Sequence, residues 1–234
     1  MRLMIAGMAH GHVQYILTEA EENDQIELVG TADADPENRA KWTPEGVPSY
    51  ADHRDALNDL APDVVAVCGI YGERAAATVA ALEAGAHVIA DKPLCTTVAQ
   101  LDEIERAAQK ANRQVSVIFE KRWYPVTSTA RRLVAEGVIG DLTLVAATGP
   151  HKAKLPNRPD WFFTEEGYGH VLGDLPVHDI DLVLALTGAR SGTVTGSTPP
   201  PTQAAHPTWH DAGALLMTAD SVTATMEAHW LWPE

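Results

Sequence analysis

Apolar residues in the first half of the chain come in short unbroken runs. Each run is followed by a segment whose apolar positions recur every three or four residues. RLMIA (Arg2 to Ala6), IELVGTA (Ile26 to Ala32), DVVAVCG (Asp63 to Gly69), HVIA (His87 to Ala90) and VSVIF (Val115 to Phe119) read as strands. HVQYILTEAEE (His12 to Glu22) and the stretches Glu73 to Ala84 and Val98 to Ala111 read as helices. In the second helix Ala75, Val79 and Leu82 share a face, and Gly85 suits its C-cap. In the third, Thr97 with Gln100 fits a capping box, and Leu101, Ile104, Ala108 and Ala111 form one stripe. Continuous apolar strands alternating with such helices predict a doubly wound parallel sheet covered on both faces, an α/β domain.

The second half has a different period. LTLVAAT (Leu142 to Thr148) reads as a strand and HVLGDLPVHDIDLVLALTG (His170 to Gly188) as largely helical. GTVTGS, AGALLMT and SVTATMEAHWLW follow as strands, several of them alternating. Alternation predicts an α+β domain whose open, mostly antiparallel sheet has one face exposed and one under a helix. The boundary falls near Lys121, giving domains 1–121 and 122–234. The Pro-rich stretch Ser197 to Thr208 reads as a loop. The last strand runs almost to Trp232-Pro233-Glu234 with no closing element, so the chain is expected to be a C-terminally incomplete fragment.

Composition narrows the function classes. At 234 residues, 45% hydrophobic and 21% charged, the chain is ordinary globular protein of one or two domains. A formal net charge of −15 argues against a nucleic-acid partner. It leaves room for a small anion, because one local cation outweighs a distant, screened acidic surface. No apolar run approaches the roughly 20 residues of a membrane span, and the N-terminus shows no secretory-leader pattern. Two cysteines, Cys68 and Cys95, are too few for a disulfide framework and read as reduced thiols of a cytoplasmic protein.

In parallel sheets, ligands bind outside the carboxyl ends of the strands. Those ends carry Gly7 with its loop, Asp33, Gly69 to Glu73, and Asp91-Lys92. GMAHGH (Gly7 to His12) lies between a strand and a helix, where a glycine turn lets backbone N–H groups approach a pyrophosphate. Ala9 and His12 stand where a second and third glycine would be expected. Asp33 ends the next strand, placed to accept hydrogen bonds from an adenosine ribose and to repel a 2′-phosphate, which favours NAD over NADP. Its other reading is a turn residue in DADP, at the start of a helix. Asp174 and His178, four apart, share a helix face, with Pro176 placing a helix start near Leu175 and Asp174 near its N-cap. They form either a satisfied buried pair or an acid beside a general base.

Arg122, Tyr124 and Trp161 are candidate substrate contacts, with His151 and Lys152 behind them. His10 with His12, and His206 with His210, bring no third convergent ligand in the sequence, so no metal is expected.

GMAHGH, Asp33, ALEAGAHVIADKPL and GDLPVHDIDL, in this order, resemble the Gfo/Idh/MocA family, the relatives of glucose–fructose oxidoreductase and inositol dehydrogenase. The resemblance runs along essentially the whole chain. It implies a Rossmann domain followed by an α/β domain with a large open sheet, and NAD(P)-linked chemistry on sugars, cyclitols and related compounds. It implies cofactor contacts from Gly7, Ala9, His10, Gly11, His12, Asp33, Gly69, Asp91, Lys92 and Pro93. Lys92 matches the lysine of the family's E-K-P motif, and Asp174 and His178 match its acid and histidine.

The resemblance also implies a homodimer or homotetramer formed through the open sheet. The departures are Asp91 for the usual glutamate, Pro176 where glycine is common, His170-Val171 within a glycine run, and GIYGERA for a T-P-N-x-x-H-like loop. The expected reaction is hydride transfer between nicotinamide and a secondary alcohol. His178 acts as base, Lys92 as the cation at the developing alkoxide, and Asp174 as orienting acid. The competing readings are a lyase, isomerase or glycosidase using bound NAD for transient oxidation, and a non-catalytic NAD-binding protein.

Overall fold

The structure, a computed structural model, describes residues 1–233. It divides into two compact units, Met1–Ile118 and Phe119–Glu234.

Among the described residues the first unit runs β1 (Arg2–Ala6), α1 (Val13–Glu22), β2 (Glu27–Ala32), α2 (Pro36–Trp42), β3 (Ser49–Tyr50), α3 (His53–Leu60), β4 (Val64–Val67), α4 (Arg74–Glu83), β5 (His87–Asp91), α5 (Val98–Ala111) and β6 (Val115–Ile118). The strands form one parallel sheet in the order β3-β2-β1-β4-β5-β6. The unbroken apolar runs have a direct cause. Met4, Ala6, Val65 and Val67 pack into one layer, and Leu3, Ile5, Val64 and Ala66 into the other, so both faces of the central strands β1 and β4 are buried.

Thr97 and Gln100 make the expected capping box on α5. Gly85, just past α4, takes φ +88, a left-handed conformation that glycine adopts at little cost. The sequence reading leaves out α3 and the two-residue β3, while α2 is the helix that DADP opens. α2 has no fully buried residue, with Trp42 partly buried against the core, and is set by Asp35 capping Glu37 N with Pro36 in its first turn. α3 is short and capped by Asp52.

The second unit contains α6 (Pro125–Ala135), β7 (Leu144–Pro150), α7 (Glu165–Tyr168), α8 (Val171–Asp174), α9 (Val177–Thr187), β8 (Thr193–Ser197), β9 (Ala212–Ala219) and β10 (Val222–His229), with a 3-10 turn at Glu120–Trp123. The sheet order is β7-β10-β9-β8. The β7–β10 pair is parallel and the others antiparallel. Burial alternates along β9 and β10, and Leu215, Met217, Ala224 and Met226 pack under Ile180, Val183 and Leu184 of α9.

Two details differ from the sequence reading. β10 stops at His229, and Trp230 beyond it is buried, its indole N–H donating to the Tyr168 hydroxyl at 2.8 Å. The helical stretch breaks at Leu175-Pro176, because proline has no N–H to continue it. Asp174 is therefore the last residue of α8 and not an N-cap. Among the described residues no helix is long and apolar enough to cross a membrane.

Candidate active site

The chain leaves β1 through Gly7, whose φ of +77 suits a residue without a side chain. There is also no room for one. A Cβ on Gly7 would stand 2.5 Å from the Gly69 Cα at the end of the β4 strand run. This glycine-to-glycine contact lies where the sheet order reverses, between β1 and β4, the crevice in which open α/β sheets bind ligands. The loop is tied down by Gly7 N to Ala32 O at 2.7 Å and His10 N to Cys68 O at 3.1 Å. Met8 N donates to the Asp33 carboxylate. The other Asp33 oxygen accepts from Asp35 N at 2.8 Å and from Asn38 at 3.3 Å. Arg39 places its guanidinium on the carbonyl oxygens of Asp33 and Ala34, at 2.6 and 3.0 Å. Asp33 thus shapes the turn into α2, as its turn reading expects, and it also ties that turn to the glycine loop.

Asp91 closes β5 and gathers four donors. His10 Nδ1 lies 2.7 Å from Oδ2 and His12 Nδ1 2.9 Å from Oδ1. Arg74 Nη2 donates to Oδ2 at 2.9 Å and Lys92 N to Oδ1 at 2.8 Å. Arg74 is fully buried. It also donates to Gly69 O and Pro93 O, and its guanidinium stacks on the Tyr71 ring at 4.4 Å.

Burial alone would raise the Asp91 carboxyl. The His10 and His12 hydrogen bonds and the Arg74 charge outweigh it and hold Asp91 well below the usual carboxylate range. His10 is pushed down by burial, against the pull of Asp91, so it is neutral near pH 7. Its Nδ1–H then donates to the carboxylate, because an ionised carboxylate only accepts. Lys92, 6% exposed, follows directly, joined to Pro93 by a cis peptide. Burial pushes the neighbouring Cys68 thiol up to about 12, and both cysteines are free.

The cluster changes the metal argument. The sequence shows His10 and His12 without a third ligand, and the fold supplies one, Asp91, with the three donor atoms within 4.8 Å of one another. The Arg74 guanidinium holds the same carboxylate, 2.9 Å from Oδ2.

The sequence reading points to the Gly69–Glu73 segment but passes over Arg74, the residue that ties Gly69 to Asp91 and Pro93. A lone arginine opening an apolar helix was the available signal.

In the second unit Asp174 and His178 are both buried, at the end of α8 and in the first turn of α9. Asp179 and Asp181 are committed elsewhere. Lys121 Nζ lies 3.6 Å from Asp179 Oδ1, and Arg122 grips Asp181 with two hydrogen bonds. Burial raises the Asp179 carboxyl against the opposing Lys121 charge. Arg122 thus has a structural partner. Tyr124 stands half-exposed at the start of α6, and the Trp161 ring meets the Phe162 ring edge-on at 5.9 Å. Phe162 itself is the centre of a packed aromatic group with Phe163, Tyr168, Trp209 and Trp230. His151 bonds the carbonyl of Gly149, while His206 stacks on Phe163 and His210 against His170. Glu120, which the sequence reading passed over, puts its Oε1 3.6 Å from His178 Nε2.

Comparisons with known proteins agree with this geometry. Residues 1–119 match the family model described as an oxidoreductase family with an NAD-binding Rossmann fold. Residues 127–234 match the GFO/IDH/MocA C-terminal domain. The chain is similar to D-glucoside 3-dehydrogenase of Escherichia coli, 30% identical over 139 residues, covering 59% of this chain and 40% of that protein. A solved structure from Erwinia carotovora atroseptica SCRI1043 superposes with a TM-score of 0.93 at 30% identity, over 100% of this chain and 71% of that one. Scyllo-inositol dehydrogenase from Lactobacillus casei, solved with NAD(H) and scyllo-inositol, gives 0.81 at 22% identity, over 97% and 69% of the two chains. The leading curated matches span 40% to 61% of those relatives' own lengths. The doubly wound parallel sheet, the mostly antiparallel second sheet and the two family matches carry one conclusion: the chain belongs to the Gfo/Idh/MocA oxidoreductase family.

Proposed function

We propose that this protein is an NAD-dependent oxidoreductase that moves a hydride between nicotinamide and a secondary alcohol of a sugar, cyclitol or related polyol. The observation that carries the reading is the Gly7–Gly69 contact with Asp33 drawn onto Met8 N. A side chain at Gly7 would fill this cradle, and the Asp33 carboxylate beside it suits two ribose hydroxyls and opposes a 2′-phosphate. The cradle fits a dinucleotide, held by Gly7, Ala9, His10, Gly11 and His12, with Asp33, Gly69, Asp91, Lys92 and Pro93 around it. Such a cofactor, when bound, supplies the hydride acceptor.

The protein's own share is proton and charge handling. His178 takes the hydroxyl proton: the O–H bond breaks and an N–H bond forms on the imidazole. Lys92 offers its ammonium to the oxygen that gains negative charge. Asp174 orients the substrate or His178. Tyr124 and Trp161 are assigned to substrate contact. Arg122 stays in that group only through its partly exposed face, since its guanidinium is held by Asp181. Self-association through the open face of the second sheet belongs to the same reading.

The test is a fluorescence titration with NADH and, separately, NADPH, followed by a screen of polyols for NADH production. Saturable NADH binding tighter than NADPH binding is expected. Binding of neither nucleotide removes the proposal. Tightly held NAD with no net NADH production from any substrate would favour transient oxidation instead.

A further inference from the structure

We propose that Glu120 is the positioning residue of His178: its carboxylate holds the imidazole and balances the positive charge that the ring gains on taking a proton. This rests on His178 being the base. Glu120, Lys121 and Arg122 are consecutive in one 3-10 turn, and they face His178, Asp179 and Asp181 of α9. The Lys121–Asp179 and Arg122–Asp181 pairs clamp the turn onto the helix, and the clamp fixes where the Glu120 carboxylate points. Its Oε1 stands 3.6 Å from His178 Nε2, within ion-pair reach and just beyond hydrogen-bond length. The Phe119 ring packs edge-on against the imidazole at 6.1 Å and limits its rotation.

The second Glu120 oxygen gives independent support. Oε2 is buried with no hydrogen-bond partner among the described residues. An acceptor buried without a donor destabilises a fold, so packing alone does not account for the glutamate. A positive imidazolium beside it does. When His178 removes a substrate proton, the carboxylate changes neither its bonds nor its proton count. It stabilises the charged product of that step.

Other charged groups on elements packed against α9 within this unit are occupied or distant in role. Arg132 on α6 pairs with Glu136, Arg131 lies over Trp123, and Glu227 is on the exposed face of β10. Asp174 on α8 is the other acid near His178 in sequence, and it is present in every variant compared below.

The experiment is an NMR titration of the His178 ring in the full chain, its signal assigned by its loss in His178→Gln. Glu120→Gln keeps the shape and removes the charge. The His178 midpoint is expected to fall by about one pH unit, the usual scale for losing an opposite charge at this range. Glu120→Asp, which keeps the charge one methylene further back, should give a smaller fall and serves alone if the glutamine variant does not fold. A midpoint unmoved in both variants overturns the role of Glu120. Full turnover in His178→Ala overturns the base assignment instead, so the two failures are distinguishable.

Discussion

His12 and Asp91 are 79 positions apart in the chain, yet His12 Nδ1 and Asp91 Oδ1 meet at 2.9 Å. His10 and Arg74 converge on the same carboxylate. Three of these residues fall where the sequence departs from the pattern that the resemblance implies: His12 in the glycine loop, Arg74 in GIYGERA, and Asp91 for glutamate. The three form one network. A shorter acid leaves room for two imidazoles, and the buried guanidinium neutralises the charge.

Removing the acid from this network should be costly. Asp91→Ala leaves Arg74 buried without its carboxylate, a loss of about 3–5 kcal/mol by the usual scale for breaking a buried pair. Asp91→Glu keeps the charge but pushes a methylene into the space held by His10 and His12, at about 1–3 kcal/mol. Urea denaturation of both variants measures this, and an unchanged midpoint for Asp91→Ala would refute the network's structural role.

Stability should fall in acid in two stages. Burial lowers the proton affinity of His10, His53 and His170, with His210 adding to the effect at His170. The unfolded chain then binds more protons than the fold below about pH 6.5, so stability rises with pH through that region. Each histidine contributes a slope of up to about 1.4 kcal/mol per pH unit. Asp91 acts in a lower window. Its contribution is full above about pH 4 and is lost as the pH falls towards its depressed folded value. Urea midpoints between pH 8 and 5 should drop, and His10→Gln should flatten the drop.

Two glycines of the same loop should respond differently. Gly7→Ala meets the Gly69 Cα and keeps an unfavourable φ, and the strain at φ > 0 alone costs about 1–2 kcal/mol. A Cβ on Gly11 meets nothing within 4 Å, so Gly11→Ala should leave the melting temperature unchanged. If NADH affinity nonetheless falls in Gly11→Ala, the dinucleotide lies against that backbone.

Cofactor choice should turn on Asp33. Asp33→Ser removes the charge that opposes a 2′-phosphate and leaves the Arg39 guanidinium on the backbone carbonyl of the same residue. The ratio of NADPH to NADH affinity should rise at least about tenfold, which corresponds to roughly 1.4 kcal/mol. An unchanged ratio in a folded variant would place the ribose elsewhere.

Lys92→Met and His178→Ala should each reduce turnover by about 10²–10⁴-fold while NADH affinity changes little. Steady-state rates with a substrate found in the screen, together with NADH titration, separate the two quantities. Normal turnover in Lys92→Met would dismiss it as the alkoxide-stabilising cation.

The sequence by itself determined what local chemistry decides. Runs such as VVAV and HVIA are apolar throughout and read as strands, Thr97 and Gln100 have the spacing of a capping box, and Gly7 marks the turn between a strand and a helix. The family itself was equally legible, because the stretches that carry the resemblance stand in order along the chain and both family models match it. Only the tertiary structure decided which distant residues share a partner. Arg74 and Asp91 meet because β4 and β5 are neighbours in the sheet, a pairing that no local spacing encodes. His10 and His12 gain their third member in the same way. Lys121 and Arg122 find Asp179 and Asp181, and with them Glu120 finds His178, because the turn after β6 packs on α9. Charge pairs of this kind depend on side chains a few ångströms apart in space and tens of residues apart in the chain, and only the fold brings them together.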